Sequence, residues 1–235
     1  MRVKFIKTVN DMLLYNNVLE GIFRRRPNRF IAYVDINGKT EKVHVKNTGR
    51  CKELLVPGCT VYLDKSDNPN RKTAYDLVAV MKGDTLINMD SAAPNKVFGQ
   101  WAKENYHGAI IKPEVKYKNS RFDFYIEHGD RKIFTEIKGV TLEENGIVKF
   151  PDAPTERGLK HIHELIDTVE NGYEARIFFV VQIENVKLFT PNYATHRQFG
   201  EALKLAREKG VKILAYNCKV TPDSMSIYRP VEIEL

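Results

Sequence analysis

The stretch RFDFYIEHGDRKIFTEIKGV, residues 121–140, decides the fold of this chain. Its first seven residues alternate between polar and apolar types, which predicts a β-strand with three hydrophobic side chains on one face, Phe122, Phe124 and Ile126. Its last nine residues alternate in a similar way, and the four residues between supply a turn in which Gly129 can adopt a positive φ. The stretch therefore predicts a β-hairpin.

The register of this hairpin places two acidic side chains opposite each other. An even loop centred on Gly129-Asp130 pairs Asp123 with Glu136 and leaves Lys138 on the same side of the sheet. Directly opposed residues have Cβ atoms roughly 4.5–5.5 Å apart, so the two carboxylates repel. A hard divalent cation, Mg²⁺ or Mn²⁺, would relieve that repulsion. A loop of odd length would instead put the carboxylates on opposite faces.

An Asp on one strand followed by Glu-x-Lys on the next is the PD-(D/E)xK nuclease pattern. Here it predicts Asp123, Glu136 and Lys138 as catalytic residues, with the two carboxylates as metal ligands. Glu114, at the start of the preceding predicted strand, is a further candidate ligand. The alternative is a solvated strand face on which Lys138 neutralises its neighbours. Apolar residues flank Glu136 and argue against that alternative, because charges inside an apolar strand need partners.

The composition is that of a soluble globular protein. The chain has 235 residues, of which 43% are hydrophobic and 29% charged, and this length suits one large domain or two small ones. No run of 18 apolar residues predicts a membrane span, and the first residues lack an apolar signal segment. Three cysteines without metal-ligand spacing fit a reduced cytoplasmic location. The net charge of +7 permits a polyanionic partner without establishing one.

Residues 1–88 are predicted to form an OB-like domain. Five strands are expected, over residues 19–25, 30–36, 40–45, 59–64 and 75–81. A short helix over Arg50–Leu55 stands between the third and fourth strands, and Asn37-Gly38 is a strong hairpin turn. Five strands with a helix at that point are typical of a small Greek-key barrel that binds oligonucleotides.

Basic residues crowd the loops of this predicted barrel. The candidates for nucleic-acid binding are Arg24, Arg25, Arg26, Arg50, Arg71 and Lys72. Aromatic residues interleave with them, and bases could stack on these rings. In the alternative interpretation the aromatic side chains form the barrel core and the charges are solvated turns.

The second domain, residues 89–235, is predicted from the order of its elements. A linker over residues 88–94 leads into it. Around the hairpin the pattern predicts helices and strands over residues 97–108, 113–117, 155–171, 176–183, 195–209 and 211–220. Helix, three strands, helix and strand is the αβββαβ order of the PD-(D/E)xK nucleases. The predicted fold is therefore mixed α/β, an OB-like barrel followed by a nuclease-like αβββαβ domain.

Two further candidates for nucleic-acid binding lie on the helix predicted over residues 155–171. Arg157 and His161 are one turn apart, on a face away from the apolar centre of that helix. Contact with a scissile phosphate and an ordinary exposed basic face are both open interpretations.

Several unbroken blocks resemble the sugar fermentation stimulation protein (SfsA) family. They occur in the family's order and span nearly the whole chain, at residues 47–50, 53–58, 66–72, 150–161 and 178–182. The resemblance implies an OB-like first domain, a nuclease-like second domain and binding of DNA rather than RNA. It also implies a regulatory role in sugar utilisation. The nuclease residues of the family carry over to Asp123, Glu136 and Lys138, all of which are present.

Three functions follow as hypotheses. The first is a metal-dependent nuclease that acts on nucleic acid. The second is a non-catalytic DNA-binding regulator linked to sugar utilisation. The third, a small-molecule enzyme of sugar metabolism, has least support, because the sequence contains neither a Walker phosphate loop nor a dinucleotide glycine fingerprint. The oligomeric state stays open.

Overall fold

The computed structural model of the protein describes residues 12–235, which form three β-sheets and three helices. The first seven strands are β1 (Met12–Leu13), β2 (Val18–Arg25), β3 (Ile31–Ile36), β4 (Lys39–Val45), β5 (Thr60–Lys65), β6 (Tyr75–Lys82) and β7 (Thr85–Asn88). The elements that follow are α1 (Ala93–Asn105), β8 (Ile110–Tyr117), β9 (Ser120–His128), β10 (Arg131–Val140), β11 (Leu142–Glu144), β12 (Ile147–Phe150), α2 (Glu156–Glu170), β13 (Glu174–Val181), β14 (Leu188–Pro191), α3 (Arg197–Glu208), β15 (Lys212–Val220), β16 (Ser224–Pro230) and β17 (Glu232–Ile233).

Strands β2 to β6 form a closed five-stranded barrel. Their order is β4-β3-β2-β5-β6, and a parallel pairing between β4 and β6 closes the ring. Alternate side chains such as Val34, Val43 and Leu63 are fully buried inside it. The five predicted strands are confirmed, and both Asn37 and Gly38 adopt positive φ in the turn between β3 and β4.

The short helix predicted over residues 50–55 is wrong. The backbone N–H groups of Leu54 and Leu55 both donate to the carbonyl of Cys51, which makes a single turn. Cys51 itself has a φ of 46°, outside the helical range, and Pro57 follows shortly afterwards. A segment confined in this way cannot propagate a helix past its costly first turn.

The second domain is built on a seven-stranded sheet of order β1-β16-β15-β13-β10-β9-β8. Helix α1 packs on one face, where Phe98 contacts Phe124 and Phe178, and α2 and α3 pack on the other. Strand β13 pairs in parallel with β10 and β15 and is buried on both faces, as its apolar sequence predicts. The predicted order of helix, three strands, helix and strand is found in α1, β8 to β10, α2 and β13.

The predicted hairpin register is confirmed, but its ladder ends early. Strands β9 and β10 pair from His128 with Arg131 to Phe124 with Thr135 and stop before Asp123 would meet Glu136. The prediction that Phe122 shares a face with Phe124 is wrong, because Phe122 packs toward α2 and Phe124 toward α1. The alternation fails at Asp123, whose carboxylate accepts the Ile137 N–H that a continued ladder would use.

Other departures lie where the chain has long-range partners. Residues 88–94, predicted as a linker, include the buried Asn88, Met89 and Asp90, and α1 already begins at Ala93 with Pro94 in its first turn. The segment between β10 and α2, predicted as a loop, contains β11 and β12 of a small sheet of order β11-β12-β14-β17. These strands are only two to four residues long, too short for a periodic signal.

Between residues 12 and 235 no helix has the length and apolar character to cross a membrane.

Candidate functional site

Glu136 is a buried carboxylate on β10 that two basic side chains bind at the same oxygen. Its side chain is only 4% exposed. The Lys138 Nζ lies 2.5 Å from Glu136 Oε1, and His161 Nδ1 on α2 forms a hydrogen bond with that oxygen as well. The other oxygen, Oε2, is buried and finds no hydrogen-bond partner within residues 12–235. One side of this carboxylate is therefore fixed, and the other is left unsatisfied.

Asp123 is held at the point where β9 and β10 separate. Its Oδ2 accepts the backbone N–H of Ile137 at 2.7 Å, and its Oδ1 accepts the Nδ2 amide of Asn95 at 2.8 Å. Asn95 belongs to the first turn of α1. The start of α1 and the bend in β9 together fix the orientation of this carboxylate.

The two carboxylates have pKa values displaced in opposite directions. Burial raises the pKa of Asp123, and the nearby negative charge of Glu136 raises it further. Burial also acts to raise the pKa of Glu136, but the hydrogen bond with His161 and the charge of Lys138 outweigh it, so that pKa is lowered. Paired acids with divergent pKa values are typical of functional sites.

These residues fit a divalent cation, with some of its ligands supplied from elsewhere. The buried, unsatisfied Oε2 of Glu136 is an acceptor that a hard cation would bind, and the repulsion felt by Asp123 favours a positive charge near it. Within residues 12–235 no cluster of three or more His, Cys, Asp or Glu side chains is arranged to hold a metal ion. Mg²⁺ is commonly held by one or two carboxylates, with water and substrate phosphate completing its shell.

Glu114, the further candidate ligand, points to a different partner. It follows Pro113, which pairs with Phe124, and has a φ of 55° that interrupts the β8 strand beside Asp123. Its carboxylate forms an ion pair with Arg121 Nε at 2.7 Å, and its side chain is 53% exposed. Its role as a third ligand stays a prediction.

Of the two candidates on α2, Arg157 is exposed and His161 is buried. The prediction that His161 lies away from the apolar centre is wrong, because it packs inward against Phe122 and Glu136. Its spacing from Gly158 and Leu165, both buried, is that of one helix face, so the periodicity contained the signal.

The six predicted basic residues of the barrel have different surroundings. Arg24 pairs with Asp35, Arg71 forms a two-pronged ion pair with Asp76, and the guanidinium of Arg25 lies 4.1 Å from the centre of the Tyr33 ring. Lys72 is exposed. The backbone N–H and the Nη2 of Arg50 both bind the loop after β12, at Asp152.

Arg26 has a structural role that the sequence did not predict. Its Nη1 donates to the carbonyls of Gly49 and Arg50 at 3.0 and 2.9 Å. Its Nη2 donates to the carbonyls of Arg29 and Asn47 at 2.7 and 2.6 Å. Four backbone carbonyls thus bind one guanidinium, which fixes the loop of residues 47–50 to the end of β2.

Two clefts lie on either side of that loop. The basic cleft, with a volume of about 460 Å³, is lined by barrel residues that include Arg25, Arg26, Arg29, Arg50 and Lys52. The junction cleft, of about 320 Å³, lies between the domains and is lined by residues 47–49 of the barrel and by residues 139–142 and 149–155 of the second domain. Gly139, which lines the junction cleft, directly follows Lys138.

A buried polar network below the junction cleft was also missed. The Gln182 Nε2 donates to the carbonyl and side-chain oxygens of Asn88 and to the carbonyl of Asp90, at 3.0 to 3.1 Å. The Asp90 carboxylate accepts from Tyr15 Oη and pairs with Lys46 at 2.8 Å. Burial raises the pKa of Tyr15, so this phenol remains protonated and serves as a hydrogen-bond donor. The network ties the two domains together.

Comparisons with known proteins place the barrel and the second domain in one family. Residues 25–89 match a family model described as the SfsA N-terminal OB domain, and residues 92–224 match one described as the sugar fermentation stimulation protein RE domain. The chain belongs to the SfsA family. A sugar fermentation stimulation protein homolog of Clostridium beijerinckii is 58% identical, over 94% of this chain and 99% of the homolog. Another, of Ruminiclostridium cellulolyticum, is 56% identical over the same shares.

A solved structure in the family has the same fold. It is described as the structure of Pyrococcus furiosus SfsA in complex with Ca²⁺, and it is 29% identical to this chain. The two superpose with a TM-score of 0.85 over 96% of this chain and 99% of the archaeal one. Two sequence blocks that suggested the SfsA family, at residues 47–50 and 150–161, meet across the junction cleft. The two blocks are about 100 residues apart in the sequence, and Gly139, which follows Lys138, lines the same cleft.

Proposed function

We propose that this chain is a metal-dependent phosphodiesterase that cleaves nucleic acid at the Asp123, Glu136 and Lys138 group. The observation that carries the proposal is the buried Glu136, whose Oε2 is unsatisfied while Oε1 is bound by Lys138 and His161. A divalent ion, of which Ca²⁺ is named for the Pyrococcus furiosus relative, would bind at the free oxygen and beside Asp123.

When bound, such a cation polarises a phosphate and lowers the pKa of its water ligand. Lys138, whose ammonium binds Glu136 and whose side chain is 16% exposed, supplies a positive charge for the phosphate oxygens in the transition state. His161 keeps the Glu136 carboxylate in one orientation. The basic residues of the barrel bind the phosphate backbone and hold the strand at the site.

The proposal is tested by cleavage of labelled single-stranded and duplex DNA and RNA in Mg²⁺, Mn²⁺ or EDTA. We expect cleavage with Mg²⁺ or Mn²⁺, none in EDTA, and a loss of activity in Asp123→Ala and Glu136→Ala. Glu170→Ala is the matched control, because this exposed carboxylate lies at the end of α2 and pairs with Lys209 at 3.9 Å, and it should retain activity. Cleavage by Asp123→Ala at the wild-type rate would reveal a contaminating nuclease and remove the proposal.

A DNA-binding regulator without catalysis is the second candidate. Both oxygens of Asp123 already accept N–H groups of the protein, which an inert structural carboxylate would also do. This candidate predicts DNA that remains intact after long incubation with Mn²⁺. It also predicts an affinity that falls with salt concentration, with a log–log slope set by the number of phosphate contacts. Metal-dependent cleavage lost in Glu136→Ala would exclude it.

A further inference from the structure

The basic cleft and the junction cleft share one wall, the loop of residues 47–50. Gly49 lines both clefts, Arg50 lines the basic cleft, and Asn47 and Thr48 line the junction cleft. A chain lying in the basic cleft therefore reaches the junction cleft by crossing this loop. The far side of the junction cleft is formed by Gly139, next to Lys138. The two clefts thus form one route across this loop, and the residue that follows Lys138 in the sequence borders its far end.

The loop between them is fixed from both domains. Arg26 binds it from the barrel through three of its carbonyls. Asp152 binds it from the second domain, where Oδ2 accepts the Arg50 N–H at 3.1 Å and the carbonyl accepts Arg50 Nη2 at 2.7 Å. A Cβ on Gly49 would lie 2.7 Å from Asp152 Oδ2, so a larger residue there would displace the carboxylate that binds the Arg50 N–H. Because these contacts fix the loop of residues 47–50, both clefts are formed before a ligand binds.

The size and chemistry of this route suit a single strand. Volumes of about 460 and 320 Å³ are in the range of sites for small ligands. Arginines in the first cleft offer charge for successive phosphates. Phe30 directly follows Arg29, which lines this cleft, and its side chain is 54% exposed, which is unusual for a large aromatic residue. Exposed rings beside a basic groove stack unpaired bases.

We propose that one unpaired strand of nucleic acid occupies the basic cleft, crosses the loop of residues 47–50 and enters the junction cleft, where its phosphodiester reaches Lys138. The substrate is then single-stranded or locally opened nucleic acid, and an intact duplex is excluded. The binding part stands on the clefts alone, whereas the cleavage part rests on the proposed function. DNA and RNA have the same phosphodiester backbone, so both could bind along this route.

The test fills the junction cleft and leaves the barrel and the carboxylates untouched. Ala153 lines this cleft, so Ala153→Trp should obstruct it. Lys149→Glu places a negative charge in the same cleft without added bulk. Ala74→Trp is the matched control, since Ala74 is exposed and lines neither cleft.

Binding is measured by fluorescence anisotropy in EDTA. The labelled oligonucleotides have one sequence and are single-stranded or duplex, each as DNA and as RNA. Photo-crosslinking from halogenated bases then maps the peptides along the bound strand.

We expect the wild type to prefer single strands, and both cleft variants to lose about 10-fold in single-strand affinity, the effect of one lost stacked base. Crosslinks should fall in residues 25–30 for one part of the strand and in residues 139–155 for the next. Equal binding of duplex, or wild-type affinity in a folded Ala153→Trp and in Lys149→Glu, would overturn the route. If these variants lose single-strand binding and the wild type cleaves nothing in Mn²⁺, the route is supported and the proposed nuclease activity is excluded. Metal-dependent cleavage of intact duplex would support the nuclease and exclude the single-strand route.

Discussion

His161 on α2 and Glu136 on β10 form a buried hydrogen bond between imidazole Nδ1 and carboxylate Oε1. Because Lys138 binds the same oxygen, the carboxylate is fixed with its Oε2 unsatisfied. Thr155 caps the start of α2, where its Oγ1 accepts the Gly158 N–H at 3.0 Å, and Thr155 also lines the junction cleft. The helix that supplies His161 therefore begins at the edge of the junction cleft.

We expect His161→Ala to weaken the binding of a divalent cation by about 10- to 100-fold, the usual effect of removing a group that orients a ligand. Isothermal titration with Ca²⁺ measures this affinity without cleavage of any substrate. His163→Ala is the matched control, because His163 lies on the same helix and is exposed. A folded His161→Ala protein with wild-type Ca²⁺ affinity would show that Glu136 needs no such support.

Gly139 in strand β10 and Gly99 in helix α1 should respond oppositely to substitution by alanine. A Cβ on Gly139 would lie 2.5 Å from Gln182 Oε1 and 2.8 Å from Pro94 Cγ, and Gln182 is held by three hydrogen bonds. Gly139→Ala should therefore lower the free energy of unfolding by roughly 1–3 kcal/mol, the cost of overpacking.

Gly99, in the interior of α1, provides the comparison. A Cβ there would meet only Phe124, at 3.4 Å, which is an ordinary contact. Gly99→Ala should raise the free energy of unfolding by about 0.5–1 kcal/mol, because alanine loses less backbone entropy in a helix. Urea unfolding measures both changes. The interpretation fails if Gly139→Ala is as stable as Gly99→Ala.

The stability of the protein should depend on pH through Glu174, the first residue of the central strand β13. Hydrogen bonds from Arg131 Nε and Nη2, at 2.6 and 2.9 Å, together with Lys212, lower the pKa of Glu174 from 4.5 to about 2. A carboxyl whose pKa is lower in the folded state contributes stability above its unfolded pKa, and this contribution is lost as the pH falls toward the folded value.

Glu174→Gln should therefore be less stable than the wild type at pH 7. The difference should shrink below pH 4.5 and vanish near pH 2, as both pKa values are passed. Denaturant unfolding at a series of pH values measures it. Glu170→Gln is the control, because its partner Lys209 is 3.9 Å away and both side chains are more than half exposed. A pH-independent difference between Glu174→Gln and the wild type would contradict the assignment.

The hairpin could be predicted because its determinants are local. Alternating residues and a turn at Gly129 set the pairing of His128 with Arg131, and one register then follows along both strands. The end of the ladder at Asp123 could not be predicted, since it depends on the capture of the Ile137 N–H by a side chain and on Asn95 in another element. Local pattern thus specifies which strands pair but not where a side chain interrupts them.

The candidate site shows the same division. Its charged residue types, Asp123, Glu136 and Lys138, are visible in the sequence, but the partner that fixes Glu136 is not, because His161 reaches it from a helix that packs across the sheet. The linker prediction failed at Asn88 for a similar reason, since Gln182 binds it from a position remote in the chain. Contacts of this kind need the assembled fold.

Arg26 provides the last test, because its predicted and observed roles give different results. As a phosphate ligand, Arg26→Met would weaken nucleic-acid binding and leave stability unchanged. In the structure Arg26 donates to four backbone carbonyls around the loop of residues 47–50, so its loss leaves partly buried acceptors unpaired. We therefore expect Arg26→Met to lower the free energy of unfolding by about 2–3 kcal/mol.

Arg24→Met is the matched control two residues away. Its guanidinium pairs with Asp35 at the surface, where solvent screens the interaction, so its loss should change stability much less. Urea unfolding compares the two variants, and anisotropy measures single-strand binding by each. Arg26→Met should lose both stability and affinity, because the loop it fixes forms a wall of both clefts. If Arg26→Met is as stable as Arg24→Met and loses only affinity for single strands, Arg26 acts as a phosphate ligand.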